Sequence, residues 1–160
     1  MESLTVCNDS KKVKSIKSWS LKKVQKQKDY EKNRQVQDHK RVYQGKIYNV
    51  NFGSNLGYEI DKLRPALVIS SESYNEIPNG MAVVIPLTKN VQIKEDGTPV
   101  FKHHFILEKE KFGFLDCDST LKIDQIRSVA NRRIDVKHLW GSLDENTLKA
   151  VKNKVSQFFE

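Results

Sequence analysis

Gly57-Tyr58-Glu59-Ile60-Asp61-Lys62-Leu63-Arg64-Pro65-Ala66-Leu67-Val68-Ile69-Ser70 is a polar, charged loop that runs through Arg64-Pro65 into a wholly apolar strand. Further on, Val83-Val84-Ile85-Pro86-Leu87-Thr88 is a second apolar strand, and it ends on a hydroxyl. Short apolar runs without alternation read as strands buried on both faces. An arginine at the mouth of one core strand and a threonine at the exit of the next are placed to face one pocket. A guanidinium offers a planar fork of donors that suits phosphate, and a hydroxyl beside it can bind or polarise the same group. Taken singly, Arg64 reads as a surface ion-pair partner and Thr88 as a strand-end residue. The pair is what points to phosphate chemistry.

Upstream, Lys46 to Phe52 alternates, with Ile47, Val50 and Phe52 apolar, and reads as the first strand. Gly53 to Leu63 then holds two glycines and three charged residues, and is long for a hairpin turn. Long loops between core strands are often functional. Pro65 sits at a strand start, where proline is tolerated. Ser71 to Gly80 is a turn region. Met81 to Leu87 is the second buried strand, whose ladder Pro86 is expected to end or bulge.

Downstream, Lys89 to Thr98 reads as a flexible polar loop. Val100 to Leu107 reads as a strand carrying His103 and His104, taken as ordinary strand residues, one in and one out. Leu121 and Ile123 alternate, then the rhythm slips at Asp124-Gln125, the signature of a β-bulge. Arg132-Arg133 opens a last short strand through Ile134 and Val136. Ser142 and Glu145 fit a capping box, and Leu148, Val151, Val155, Phe158 and Phe159 share one helical face. Short antiparallel strands with a terminal helix predict an α+β, mainly β chain: a small barrel with a C-terminal helix.

The 160 residues carry a net charge of +8, unevenly placed. Residues 1–44 hold 12 Lys/Arg against 5 Asp/Glu, a net of +7; residues 45–160 hold 16 against 15. The basic character belongs to an N-terminal arm, and such an arm either meets a polyanion or an acidic protein, or serves as a solvated tail. Met1 to Ser18 reads as disordered or loosely attached, and Trp19 to Val42 as a weakly amphipathic helix whose apolar positions (Trp19, Leu21, Val24, Tyr30, Val36, Val42) keep no clean helical period. The division expected is a basic extension over residues 1–43, helical or disordered, and one domain over 44–160. No apolar run nears a membrane span and no secretory signal is visible, so a cytoplasmic protein is expected. Cys7 and Cys117 lie too far apart in sequence to suggest a disulfide framework or a metal site.

The run Gly57-x-Glu59 through Arg64-Pro65-Ala66-Leu67-Val68-Ile69-Ser70, then Pro86-Leu87-Thr88, then Leu121-Lys122-Ile123-Asp124-Gln125-Ile126-Arg127-Ser128-Val129, resembles the MazF/PemK family of toxin ribonucleases from Gln44 to Phe159. The resemblance implies an SH3-like barrel acting as a homodimer. It implies metal-free, cofactor-free cleavage of single-stranded RNA: the 2′-hydroxyl attacks the adjacent phosphate, leaving a cyclic phosphate and a 5′-hydroxyl. It also implies a cognate antitoxin whose acidic tail fills the RNA groove. Carried over by position, Arg64 and Thr88 form the reactive centre, with Glu59 and Asp124 as further catalytic residues. Lys122 and Gln125 are expected on the substrate. Lys89, where the family commonly has a small residue, either contacts a phosphate or crowds the site, and Tyr58 is placed to stack on a base; Tyr74 is a second stacking candidate. The rival readings are a CcdB-like barrel that inhibits gyrase by protein contact and a barrel that binds RNA without cutting it. A guanidinium stays protonated, so the 2′-proton needs a carboxylate or a histidine as acceptor.

Overall fold

The computed structural model describes residues 9–34, 41–76 and 80–160. Seven antiparallel strands form the body: β1 (Lys46–Asn51), β2 (Leu63–Val68), β3 (Met81–Thr88), β4 (His104–Leu107), β5 (Ser119–Lys122), β6 (Arg127–Ala130) and β7 (Ile134–Ser142). They are ordered β4-β5-β3-β2-β1-β7, with β6 also paired to β3. Helix α1 (Lys11–Lys32) precedes them, the one-turn α2 (Glu72–Asn75) follows β2, and α3 (Glu145–Phe158) closes the chain. This is the small barrel with a C-terminal helix that the sequence predicts.

The non-alternating strands are explained by two cores. Ala66, Val68 and Val84 join Val50, Phe52 and Ile134 in one buried cluster. Their neighbours Leu67 and Ile85 join Ile47, Leu87, Leu121 and Val151 in the other. Successive residues from Ala66 to Val68, and Val84 and Ile85, therefore point into different cores, so these positions are all apolar. Helix α3 covers the second core with Val151, Leu148, Val155 and Phe158. Phe159 lies past the helix end and is exposed.

Pro86 does not end β3. It pairs with Ala66 on the β2 side, while the opposite edge exchanges partners around it: Met81–Val84 pair with β6 and Leu87–Thr88 with β5. A residue without an N–H fits the gap between two partners. The slip at Asp124-Gln125 is not a bulge either. Ile123–Gln125 form a 3-10 turn between β5 and β6, and the register against β3 moves by three residues across it. A real irregularity lies in β7, where the pairing with β1 shifts on either side of Tyr48.

Other boundaries also moved. The expected strand from Val100 begins at His104, since residues 101–103 are turn and bend. Residues 92–100 close on themselves through an Ile93–Pro99 bridge and a turn at Gly97. The last strand starts after Arg133 and runs to Ser142. Consequently Ser142 is strand, and α3 is capped by Asp144, whose carboxylate accepts from the Thr147 N–H.

The arm departs furthest from expectation. Helix α1 starts at Lys11, with the Ser10 hydroxyl accepting from the Val13 N–H, so residues 11–18 are helical rather than disordered. It stops at Lys32, ahead of the expected Val42, which is instead buried in the core. Met1 to Asn8, and with them Cys7, lie outside the described residues; Cys117 is a free thiol. Helix α1 buries no residue completely, yet it is docked. Lys12 Nζ meets Asp61 Oδ2 at 2.5 Å and Ser15 Oγ lies 2.7 Å from Ser54 Oγ. The Trp19 indole covers Gly53, where a Cβ would fall 2.2 Å from the ring. Further along, Tyr30 stacks under Arg132, with 3.3 Å from guanidinium carbon to ring centroid.

Candidate active site

The register carries Arg64 to Thr88. Ala66 pairs with Pro86 between β2 and β3, and two residues further along each strand are Arg64 and Thr88, on the same face as that pair. Both line one cleft with Tyr58, Glu59, Ile60, Asp61, His104 and Lys122. Thus β2, β3, β4 and β5 each send one side chain to a single opening, and the β1–β2 loop forms its rim.

That loop is held firmly. The Phe52 N–H donates to the Lys62 carbonyl and the Lys62 N–H to the Gly53 carbonyl, closing its neck at 2.9 and 2.6 Å. Gly53 has φ +82° and Lys62 φ +67°; the second is a left-handed backbone on a residue with a Cβ, a conformation that costs on the order of 1–2 kcal/mol. Asn55 Nδ2 donates to the carbonyls of Phe52 and Ile60. Gln125 Oε1 accepts from the Ile60 N–H at 3.0 Å, and its Nε2 donates to the Tyr58 carbonyl. Gln125 therefore holds the rim from the 3-10 turn and is not among the residues lining the cleft.

Arg64 is positioned from the same loop. Its Nε donates to the Asp61 carbonyl at 2.8 Å, and its Nη2 lies 3.9 Å from Asp61 Oδ1. Asp61 is already paired with Lys12, so its charge is shared. The outer face of the guanidinium keeps its donors for a ligand. Thr88 Oγ1 accepts from the Asn90 N–H at 3.2 Å, which leaves its own proton to donate.

His104, weighed in the sequence as a proton acceptor but taken as an ordinary strand residue, belongs to this cleft. It lines the cleft, its side chain is only 11% exposed, and its Nε2 lies 3.4 Å from Asp124 Oδ1. Burial pushes its pKa below the ordinary histidine value; Asp124 opposes this, while Lys122 and His103 add to it. The contact with Asp124 is thus between a neutral imidazole and a carboxylate at neutral pH. It favours the proton on Nε2 and leaves Nδ1 the lone-pair nitrogen. The signal that could have found His104 was its register: it pairs with Lys122, a motif residue. His103 turns the other way, edge-on to Phe158 at 4.8 Å.

The remaining expected site residues divide. Glu59 is exposed on the rim and Tyr58 is fully exposed beside it. Lys122 lines the cleft, whereas Asp124 stands behind His104. Lys89 does not line that cleft: its Nζ lies 2.7 Å from Asp116 Oδ2, and it lines an adjoining depression that shares Arg64 and Thr88 with the cleft and continues to Leu115 and Trp140. Tyr74 is on α2, its hydroxyl 3.5 Å from Ser128 Oγ, outside the cleft lining. Among the described residues, no group of three or more His, Cys, Asp or Glu side chains is placed to hold a metal ion.

Comparison with known proteins places this geometry. The family described as PemK-like, MazF-like toxin of type II toxin-antitoxin system matches residues 43–159. Endoribonuclease MazF9 of Mycobacterium tuberculosis is 29% identical over 94 residues, covering 56% of this chain and 74% of the relative. Among solved structures, MazF from Deinococcus radiodurans superposes with a TM-score of 0.58 at 21% identity, over 75% of this chain and 97% of that one. The MazE-MazF complex from the same organism gives 0.56 at 21% identity, over 75% and 96%. A mycobacterial endoribonuclease in complex with its cognate antitoxin gives 0.51 at 15%, over 72% and 92%. The family match begins at residue 43 and leaves α1 outside it. The chain belongs to the PemK-like, MazF-like toxins of type II toxin–antitoxin systems.

Proposed function

We propose that this toxin is a cytoplasmic endoribonuclease that cuts single-stranded RNA through Arg64, Thr88 and His104. The observation that carries the reading is their convergence with Lys122 on one cleft from four different strands. Attack of a ribose 2′-oxygen on the adjacent phosphorus gathers negative charge on the phosphoryl oxygens. Arg64 donates to that charge through the free face of its guanidinium, and Thr88 donates from the opposite strand. His104, held neutral by burial, takes the 2′-proton. Asp124 acts through His104 by orienting its ring. The P–O5′ bond then breaks, and the 5′-oxygen leaves with a proton from water. The products are a 2′,3′-cyclic phosphate and a 5′-hydroxyl end. Glu59 on the rim is the competing proton acceptor, and Tyr58 offers an exposed ring for a splayed base.

The chain acts as a homodimer in this reading, and its cognate antitoxin inhibits it by laying an acidic segment across the cationic cleft. A barrel that blocks another protein by contact alone has no use for a buried neutral histidine beside an arginine and a threonine. The test is cleavage of a long single-stranded RNA in excess EDTA, with end-group analysis. Wild type should leave cyclic-phosphate ends and Arg64→Ala should not. Equal cleavage by both, or no cleavage by folded wild type, would overturn the reading.

A further inference from the structure

A second cleft lies between α1 and the barrel and shares no lining residue with the active-site cleft. Its volume is about 520 Å³, against about 260 Å³ for the active-site cleft, so it has room for more than one phosphate unit. Lys23 and Lys26 line it from α1, and Arg132 and Arg133 from the turn between β6 and β7; Asp29 is the one carboxylate among the described residues of the lining. Four cations against one anion leave a local excess of +3.

None of these cations is neutralised by an acid. Among the described residues, no ion pair involves Lys23, Lys26, Arg132 or Arg133. The arginines are held by neutral groups instead. Arg132 Nη1 donates to Gln27 Oε1 at 3.1 Å with its plane on Tyr30. Arg133 Nη1 donates to the carbonyls of Asn51 and Phe52, and its guanidinium lies 5.6 Å from the Trp19 ring. Burial and nearby Arg127 both press against the charge of Arg133. Partly desolvated guanidiniums fixed by aromatic rings and carbonyls form a preorganised anion site, and the two lysines complete its other wall.

We infer that this cleft binds the phosphodiester backbone of single-stranded RNA flanking the cleavage site. The inference rests on the RNA-cleavage reading for the identity of the polyanion. Helix α1 is what joins the two sites. Lys12 touches the active-site loop at Asp61, and Lys23 and Lys26 lie about 16 and 21 Å further along the helix at 1.5 Å per residue. A strand of several nucleotides leaving the active site spans that distance. The contacts are to backbone, so they add affinity and salt dependence without base preference.

The test is binding of a 2′-O-methyl oligoribonucleotide, which cannot be cut, to the full chain at several salt concentrations. Three proteins are compared: wild type, Lys23→Glu/Lys26→Glu, and Lys137→Glu/Lys149→Glu, which changes the net charge equally at exposed positions remote from the cleft. All four lysines are exposed, so folding is preserved, and circular dichroism checks it. If each cleft lysine meets one phosphate, the first double variant loses about 1.4 from the salt slope, at roughly 0.7 per contact for single strands. Affinity falls roughly tenfold or more at low salt, while the control pair stays near wild type. Arg132→Gln should weaken binding in the same direction. The KM for a long RNA rises in the cleft variant, and the kcat on a substrate too short to reach α1 does not change. Equal effects of the two double variants would overturn the inference, as would an unchanged slope in the first. Capture of an acidic peptide such as hexaglutamate in place of the oligonucleotide would overturn it too. A wild type that binds through this cleft but cuts nothing would sink the cleavage reading and leave the cleft standing.

Discussion

Replacing His104 with Gln tests the proton acceptor directly. Glutamine keeps a polar side chain beside Asp124 but cannot take a proton near neutral pH. A positioned general base contributes about 10²- to 10⁴-fold, so kcat should fall by that factor, about 2.7–5.4 kcal/mol of barrier. The pH profile gives the sharper readout. Because burial holds the imidazole below its ordinary value, the base is already in its active form at neutral pH. Activity is then flat through neutrality and drops only as pH falls through that lowered value. The neighbours move this acid limb in opposite senses. Asp124 raises the His104 pKa and Lys122 lowers it, so Asp124→Asn shifts the limb to lower pH and Lys122→Met to higher pH. Single-turnover cleavage of a fluorescent RNA between pH 4.5 and 8.5 measures wild type and these variants together with Glu59→Gln. Survival of the acid limb in His104→Gln, with kcat within threefold of wild type, would refute the assignment. Its disappearance in Glu59→Gln would move the role to the rim. Stability follows the same linkage. A histidine whose charged form is disfavoured in the fold destabilises it as pH falls below the ordinary histidine value.

Arg64→Lys keeps the charge but loses the fork, and the loss of a preorganised donor at the phosphoryl oxygens should cost about 3–4 kcal/mol, or 10²- to 10³-fold in kcat; a variant within threefold of wild type would count against the assigned role. Asn75→Ala removes a buried amide that donates to the Val42 and Ser70 carbonyls and accepts from the Ser70 hydroxyl, so urea melts should show a loss of about 1–3 kcal/mol. Gly53→Ala places a Cβ against the Trp19 ring at a positive φ. It should therefore be destabilising alone and clearly less so in a Trp19→Ala background, with additive effects showing that α1 does not sit there in solution. Asp144 is held well below the usual carboxylate range by its bonds to Thr147 and Lys111. Its contribution is present above the ordinary carboxylate pKa and lost as pH falls through the lowered value, so the melting-temperature gap between wild type and Asp144→Ala should close in strong acid.

The barrel and the Arg64–Thr88 side of the candidate cleft could be read from the residues alone. Two unbroken apolar strands demand burial on both faces, and Ala66–Val68 and Val84–Leu87 supply it to two separate clusters. Arg64 and Thr88 were legible because motif and strand register agree about them. The C-terminal helix was legible because Leu148, Val151, Val155 and Phe158 keep a helical period against one core.

Only the tertiary structure decided the rest. His104 is defined by what surrounds it: a 3-10 turn brings Asp124 to its ring and burial fixes its charge state, neither of which is a property of residues 103–104 alone. The part Gln125 plays in holding the β1–β2 loop is visible only in the fold for the same reason. The arm shows the limit most clearly. Of the apolar positions, Leu21 and Val24 are exposed, and the docked stripe combines Trp19 and Tyr30 with the polar Lys12, Ser15 and Gln27. A helix held by ion pairs, hydroxyl contacts and ring–guanidinium stacking carries no hydrophobic period. Its binding face exists only once Asp61, Gly53 and Arg132 have been gathered by the barrel.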